Sequence, residues 1–148
     1  MITRHTFERS TLRVIIDTNV VLDVLLKREP FVKAAVDVFC LVEDSLIDAF
    51  LCATTITTID YLLTQSLPAL KARDALRKLI SLFEIAAVNR PVIERALASR
   101  IHDFEDAVLD EAAQMAGAES IITRNTKHFT GSTLKVFDPN EFLAQFTT

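Results

Sequence analysis

The stretch "LRVIIDTNVVLDVLL", Leu12 to Leu26, decides how the chain folds. Its opening "LRVII" (12–16) is short, aliphatic and β-branched, which reads as a buried strand. The run ends on Asp17, and "TNVVLDVLLKR" (18–28) follows with Val21, Leu22, Leu25 and Leu26 at helical spacing. Thr18 or Asn19 can cap that helix, and Glu29-Pro30 stops it. A strand that passes straight into a helix through Asp17 sets this carboxylate at the strand's carboxyl end. In an open parallel sheet that is the edge where ligands bind.

Working outward, the same alternation continues. Helices are expected at 31–45, with Val32, Ala35, Val36, Phe39 and Val42 inward, and at 54–67, with Ile56, Ile59, Leu62 and Leu63 in phase. Between them "IDAFLCA" (47–53) reads as a strand, and Pro68 ends the second helix. An amphipathic helix over 69–83 turns Lys71, Arg73, Arg77 and Lys78 outward. A strand at 84–88, helices at 90–100 and 103–118, strands at 119–124 and 133–137 and a terminal helix at 138–146 complete the pattern. Pro91 suits a first helical turn and Gly117 a helix end. Strands separated by helices give a parallel sheet covered on both faces.

Bulk properties narrow the function. The chain has 148 residues, enough for one domain over 12–148 behind a loose leader at 1–11. No apolar run reaches the roughly 18 residues of a membrane span, and the polar "MITRHTFERST" is no secretory signal, so a cytoplasmic protein without membrane contact is expected. Two glycines in all exclude a Gly-rich phosphate loop or dinucleotide fingerprint. Cys40 and Cys52 read as buried, reduced thiols. A net charge of −4 argues against holding duplex DNA by bulk charge, though not against a nucleic-acid substrate.

The chemistry-bearing residues fall in three segments. Asp17 alone would be an ordinary helix cap. "HDFEDAVLDEAA" adds Asp103, Asp106 and Asp110 near one helix face; Asp103 and Glu105 suit the helix dipole, whereas Asp106 flanks a buried side and needs a partner. "SIITRNTKHF" brings Thr123, Arg124 and Asn125 to the carboxyl end of a later strand, the same rim as Asp17. Carboxylates gathered there raise one another's pKa unless a cation compensates them. Mg2+ or Mn2+ fits oxygen donors, can activate a water and can stabilise the charge on a phosphodiester being cleaved. Scattered His5, His102 and His128 and the two cysteines do not make a zinc site.

Together, "VIIDTNVVLDVLLKREPF", "TTITTIDYLL" and "DFEDAVLDEAAQMAGAESIITRNTKHF" resemble the PIN-domain family, nearest to its small bacterial and archaeal members, which include VapC-type toxins. The resemblance spans about Leu12 to the last helix. It implies an α/β fold, a three-layer α/β/α sandwich with a central parallel sheet, and a metal-dependent ribonuclease site. The family's first acid falls on Asp17, with Thr18 and Asn19 beside it, and a later acid on Asp106, with Asp103 auxiliary. Asn125 stands at the last acidic position, and Thr58 where a glutamate is usual. Asp60, two residues on, is turned by roughly 200° and so does not simply replace it. Asp23, on the first helix, reads as a polar face residue that could approach the rim.

The reading is therefore a Mg2+- or Mn2+-dependent endoribonuclease, the toxin of a toxin–antitoxin pair. Asp17, Asp106 and Asp103 hold metal; Asn125, Thr123, Thr18, Asn19 and Thr58 support; and Arg124, Lys127 and Arg13 lie near substrate phosphates. The resemblance adds RNA as substrate, an antitoxin protein as partner, and a homodimer. Two alternatives stand beside it: a degenerate relative that binds RNA or a protein without cutting, and a phosphatase with Asp17 as nucleophile. The phosphatase needs a second aspartate where Asn19 stands.

Overall fold

A computed structural model describes residues 11–147; the leader expected at 1–11 lies almost wholly outside them. In chain order the elements are β1 (Leu12–Ile16), α1 (Thr18–Leu25), α2 (Val32–Glu43), β2 (Ile47–Cys52), α3 (Ala53–Leu63), α4 (Ala69–Leu82) and β3 (Glu84–Ala86). There follow α5 (Arg90–Leu97), α6 (Phe104–Ala116), β4 (Ser120–Ile122), a 3-10 turn (Thr126–Phe129), β5 (Lys135–Phe137) and α7 (Pro139–Thr147). The five strands make one sheet in the order β3-β2-β1-β4-β5, with every neighbouring pair parallel.

The sheet is sandwiched, as expected. On one face Val14, Ile16, Ala49 and Leu51 pack with Val20, Val21, Val38, Ile59, Leu79 and Phe142 from α1 to α4 and α7. On the other, Ile15, Phe50, Ile121 and Ala86 meet Val92 and Ala96 of α5, Val108 and Ala112 of α6, and Phe129. Consecutive residues of β1 thus serve opposite layers, because a strand's side chains alternate. Continuous aliphatics in "LRVII" are what such a doubly covered strand needs.

Chain order places the rim. From β1 the chain steps outward to β2 and β3, then crosses back to β4 on β1's other side. The order therefore reverses between β1 and β4, and at such a switch point a crevice opens beyond the strands' carboxyl ends. Asp17 and Thr123 are the residues that follow those two strands.

Several boundaries and faces differ from the sequence reading. Helix α1 stops at Leu25, because Lys27 takes a positive φ of 53°. Helix α3 ends at Leu63, four residues before the expected stop, in a turn ahead of Pro68. In α2 the buried stripe is Ala35, Val38 and Val42, while Val36 is 38% exposed. Cys40 lies on that exposed side and Cys52 is buried, so the expectation of two buried thiols fails for Cys40. Gly117 closes α6 with φ 81°, a left-handed conformation that suits glycine and is strained for other residues.

Candidate functional site

Asp17 anchors the rim. Its residue is 7% exposed, and it caps α1 through a hydrogen bond from the Thr18 backbone N–H to Oδ1 at 2.8 Å. The Thr123 hydroxyl donates to Oδ2 at 2.7 Å, and the Asn19 amide reaches the same oxygen at 3.3 Å. Asn19 also receives the Arg124 backbone N–H on its own oxygen at 3.1 Å, and the Asn125 N–H donates to the Thr123 hydroxyl at 3.0 Å. One aspartate, one threonine and one asparagine thus lace the β1–α1 junction to the end of β4. Burial pushes the Asp17 pKa up; the Thr123 and Thr18 hydrogen bonds oppose that shift, the Glu105 charge adds to it and His128 reduces it.

Helix α6 supplies the facing wall. Asp103 is its cap, accepting the Asp106 N–H at 3.0 Å. Asp106, one turn in, has its pKa raised to about 6: burial acts first, then the charges of Asp17 and Asp103, with His128 pulling down and Glu105 adding. His128, from the 3-10 turn, holds Nδ1 3.4 Å from Asp106 Oδ2. The charge of Asp17, distant in sequence, is thus among the causes that raise Asp106.

Glu105 is the residue that sequence reasoning passed over. Its Oε2 accepts a hydrogen bond from the Thr58 hydroxyl at 2.9 Å. Thr58 marks the place where a glutamate from the helix after β2 was expected. The carboxylate that meets Thr58 comes from α6 instead. Glu105 is next to Asp106 in sequence, but only the meeting of α3 with α6 reveals where it points. Helix α1 joins the same cluster, with Thr18 and Thr55 hydroxyls 3.2 Å apart. The amino-terminal turns of α1, α3 and α6 thus converge here, and their dipoles favour negative charge.

Other expected residues lie elsewhere. Asp23 is not a solvent-facing polar residue: it is fully buried between Arg28 Nε at 2.9 Å and Arg124 Nε at 2.6 Å. Arg124 is thereby committed to Asp23, and its guanidinium also lies 3.9 Å over the Phe31 ring. Asp60 faces α4, 3.7 Å from Arg73, and stays off the rim. Asp110 turns from Asp106 into the interior, where Ser132 and Gln114 bind it. Arg13 is drawn to the opposite end of the sheet, donating to the Ala116 carbonyl and facing Asp48. Lys127 lies next to His128, exposed to solvent.

The rim can gather cationic or electrophilic groups through Asp17, Asp106, Glu105 and Asp103. Hard carboxylate oxygens with hydroxyl and amide neighbours suit a divalent cation such as Mg2+ or Mn2+ in donor chemistry. Among the described residues, no group of three or more His, Cys, Asp or Glu side chains is drawn close enough to enclose a metal ion.

Comparison with known proteins agrees with this architecture. A PIN domain family model matches residues 13–127. No curated protein matches the chain significantly. Among solved structures, the VapBC2 complex of Rickettsia felis bound to a DNA fragment from its promoter superposes with TM-score 0.67 at 15% identity, covering 84% of this chain and 97% of that one. FitAcB of Neisseria gonorrhoeae gives 0.66 at 23% identity, with 85% and 97% covered. A toxin–antitoxin complex from Klebsiella pneumoniae gives 0.66 at 26% identity, again with 85% and 97% covered. With the family match spanning most of the sequence and the three-layer fold shared, the chain belongs to the PIN domain family.

Proposed function

We propose that the chain is a Mg2+- or Mn2+-dependent endoribonuclease that works in the cytoplasm as the toxin of a toxin–antitoxin pair. The observation that carries this reading is a run of contacts at the β1/β4 crevice: Thr18, beside Asp17, meets Thr55 of α3, and Thr58 of the same helix hydrogen-bonds Glu105, next to Asp106, where burial and neighbouring charges, Asp17 among them, push the Asp106 pKa up to about 6. Carboxylates held together at that cost suit a cation that neutralises them. Asp17 and Asp106 would hold the ion, and Asp103 and Glu105 would bind its waters. Once bound, the cation would supply charge neutralisation at the phosphodiester and a more acidic attacking water.

The chain's own residues set up the rest. Thr123 and Asn19 fix Asp17 Oδ2, so the carboxylate does not swing away from the crevice. Thr58 holds Glu105 towards the rim. His128 steadies Asp106 Oδ2. Thr18 completes the surrounding hydrogen bonds, and Asn125, exposed beyond β4, orients water or the strand. Lys127 meets substrate phosphate; Arg124 serves by gripping Asp23, which ties α1 to the end of β4. The antitoxin partner is supported by neighbours described as toxin–antitoxin complexes, and a homodimer is the assembly proposed for the toxin.

Cleavage of an RNA panel with Mg2+, Mn2+ or EDTA tests the reading, using the wild type, Asp17→Asn and Asp106→Asn. Metal-dependent cleavage that both variants lose supports it. RNA binding without cleavage points to a degenerate binding module instead, a reading favoured by the absence of an enclosed three-ligand group among the described residues. Phosphate released from small monoesters would point to a phosphatase.

A further inference from the structure

Beside the acidic rim lies a cavity of about 400 Å3 whose wall carries cations. Arg100, from the segment after α5, and Lys127, from the 3-10 turn, line it, with His102, His128 and the Thr130 hydroxyl group. Asp103 also lines it and is its only carboxylate. His128 and Asp103 belong to both places: His128 pairs with Asp106, and Asp103 caps the helix that carries Asp106 and Glu105. The cavity therefore opens directly onto the candidate site.

Arg100 is set apart from the other arginines. Among the described residues, Arg13, Arg28, Arg73, Arg77, Arg90, Arg95 and Arg124 each have a carboxylate within 4.0 Å, and Arg100 has none. Lys127 likewise has no ion pair among the described residues. Both are exposed, so nothing within the described fold consumes their charge. The loop is shaped to leave room for this: a Cβ on Gly131 would come 3.2 Å from the Arg100 Cβ. Glycine lets the chain close over Arg100 without filling the cavity.

A protein of net charge −4 with a carboxylate cluster at its crevice repels a polyanion. A strand that is to lie across that crevice needs local cations close to the cut and outside the acid cluster. An arginine fork matches phosphate oxygens, a lysine adds a point charge, and hydroxyl and imidazole groups add hydrogen bonds. We propose that this cavity is a phosphate subsite: Arg100 and Lys127 bind a backbone phosphodiester of the RNA strand next to the one at the acidic rim. The assignment rests on the ribonuclease reading for its ligand, while its geometry is independent of the metal.

The test is fluorescence-anisotropy binding of a labelled single-stranded RNA in EDTA over a range of KCl concentrations. It compares the wild type with Arg100→Gln, Lys127→Gln and the double variant. Lys71→Gln/Lys78→Gln, on α4 away from the rim, serves as control, and melting curves confirm that each variant folds. Each rim substitution is expected to weaken binding about 3- to 10-fold and to lower the slope of log K against log salt by about 0.7, the value of one lost phosphate contact on a single strand. The control should do neither. Unchanged affinity and slope in the double variant, equal loss in the control, or no RNA binding by the wild type overturns the subsite. So does competition by inorganic phosphate at the cavity with RNA affinity indifferent to Arg100 and Lys127. Cleavage in Mn2+ separates the two readings. If the ribonuclease assignment fails, the wild type does not cut, yet the slope change persists. If only the subsite fails, Arg100→Gln cuts with unchanged KM.

Discussion

Replacing Arg124 with methionine should destabilise the fold far more than its position beside solvent suggests. Asp23 has no exposed surface and depends on two guanidinium groups for its charge. Arg124 makes the closer contact, at 2.6 Å and 3.2 Å through two nitrogens, against 2.9 Å from Arg28. Removing one partner of a buried ion pair typically costs about 3–5 kcal/mol, because the remaining charge stays desolvated. Arg28 still faces Asp23, so the lower end, about 3 kcal/mol, is expected. Asp23→Asn should cost less, about 2 kcal/mol, since the Arg28 and Arg124 side chains are 39% and 26% exposed and can turn part of their charge to water. Asp23→Asn/Arg124→Met should then fall well short of the sum, as coupled groups do. Urea denaturation of the four proteins measures this. Arg124→Met should also lower Tm by roughly 6–12 °C at about 2–4 °C per kcal/mol. A loss below about 1 kcal/mol for Arg124→Met, or additive single effects, would refute the claim that Asp23 is a buried charge held by this pair.

Asp106 gives a pH signature. Its folded pKa of about 6 lies above the ordinary 3.8, so the native state binds the extra proton between those values, and stability falls as pH rises from one to the other. Asp106→Asn should therefore be the more stable protein at pH 7 to 8 by about 1–2 kcal/mol, below the full value of the shift because the side chain is partly exposed and screened, with the advantage vanishing near pH 3; thermal melts across pH check it, and a less stable variant at pH 8 contradicts it. Thr123→Val leaves a buried oxygen of Asp17 without its shortest hydrogen bond and should cost about 1–3 kcal/mol by the same melts, whereas Thr123→Ser should cost less. Glu105→Gln should weaken Mn2+ binding about 10-fold or more with little change in Tm, read by calorimetric titration; unchanged affinity would remove Glu105 from the metal site.

How much of this was legible beforehand follows the range of the forces involved. Strand β1 and its handover at Asp17 were readable because aliphatic runs and helix caps are local patterns. The parallel sandwich followed from alternation of strands and helices, and Gly117 from its place after a helical stripe. Helix ends were less legible: Thr64 to Leu67 carry helical spacing, yet the chain leaves the helix at Leu63. Face assignment failed where two phases were close, as with Val36 and Val38 in α2. Topology set Asp17 and Thr123 at the carboxyl ends of neighbouring strands, while Asp106 was joined to them only by the buried helix side it flanks and by the family resemblance. Sequence spacing could not show that Glu105 reaches Thr58, nor that Asp23 is sealed between two arginines, since both depend on which helices meet. The order reversal between β1 and β4 is equally a property of the assembled sheet.

The most direct measurement is Mn2+ binding to the purified chain, followed by calorimetry or by paramagnetic resonance, in the wild type and in Asp17→Asn. The account predicts that the wild type binds Mn2+ and that the variant, still folded, binds it at least 10-fold more weakly. Equal binding by both proteins, or none by the wild type, would contradict the claim that the carboxylates at the β1/β4 crevice are gathered for a cation.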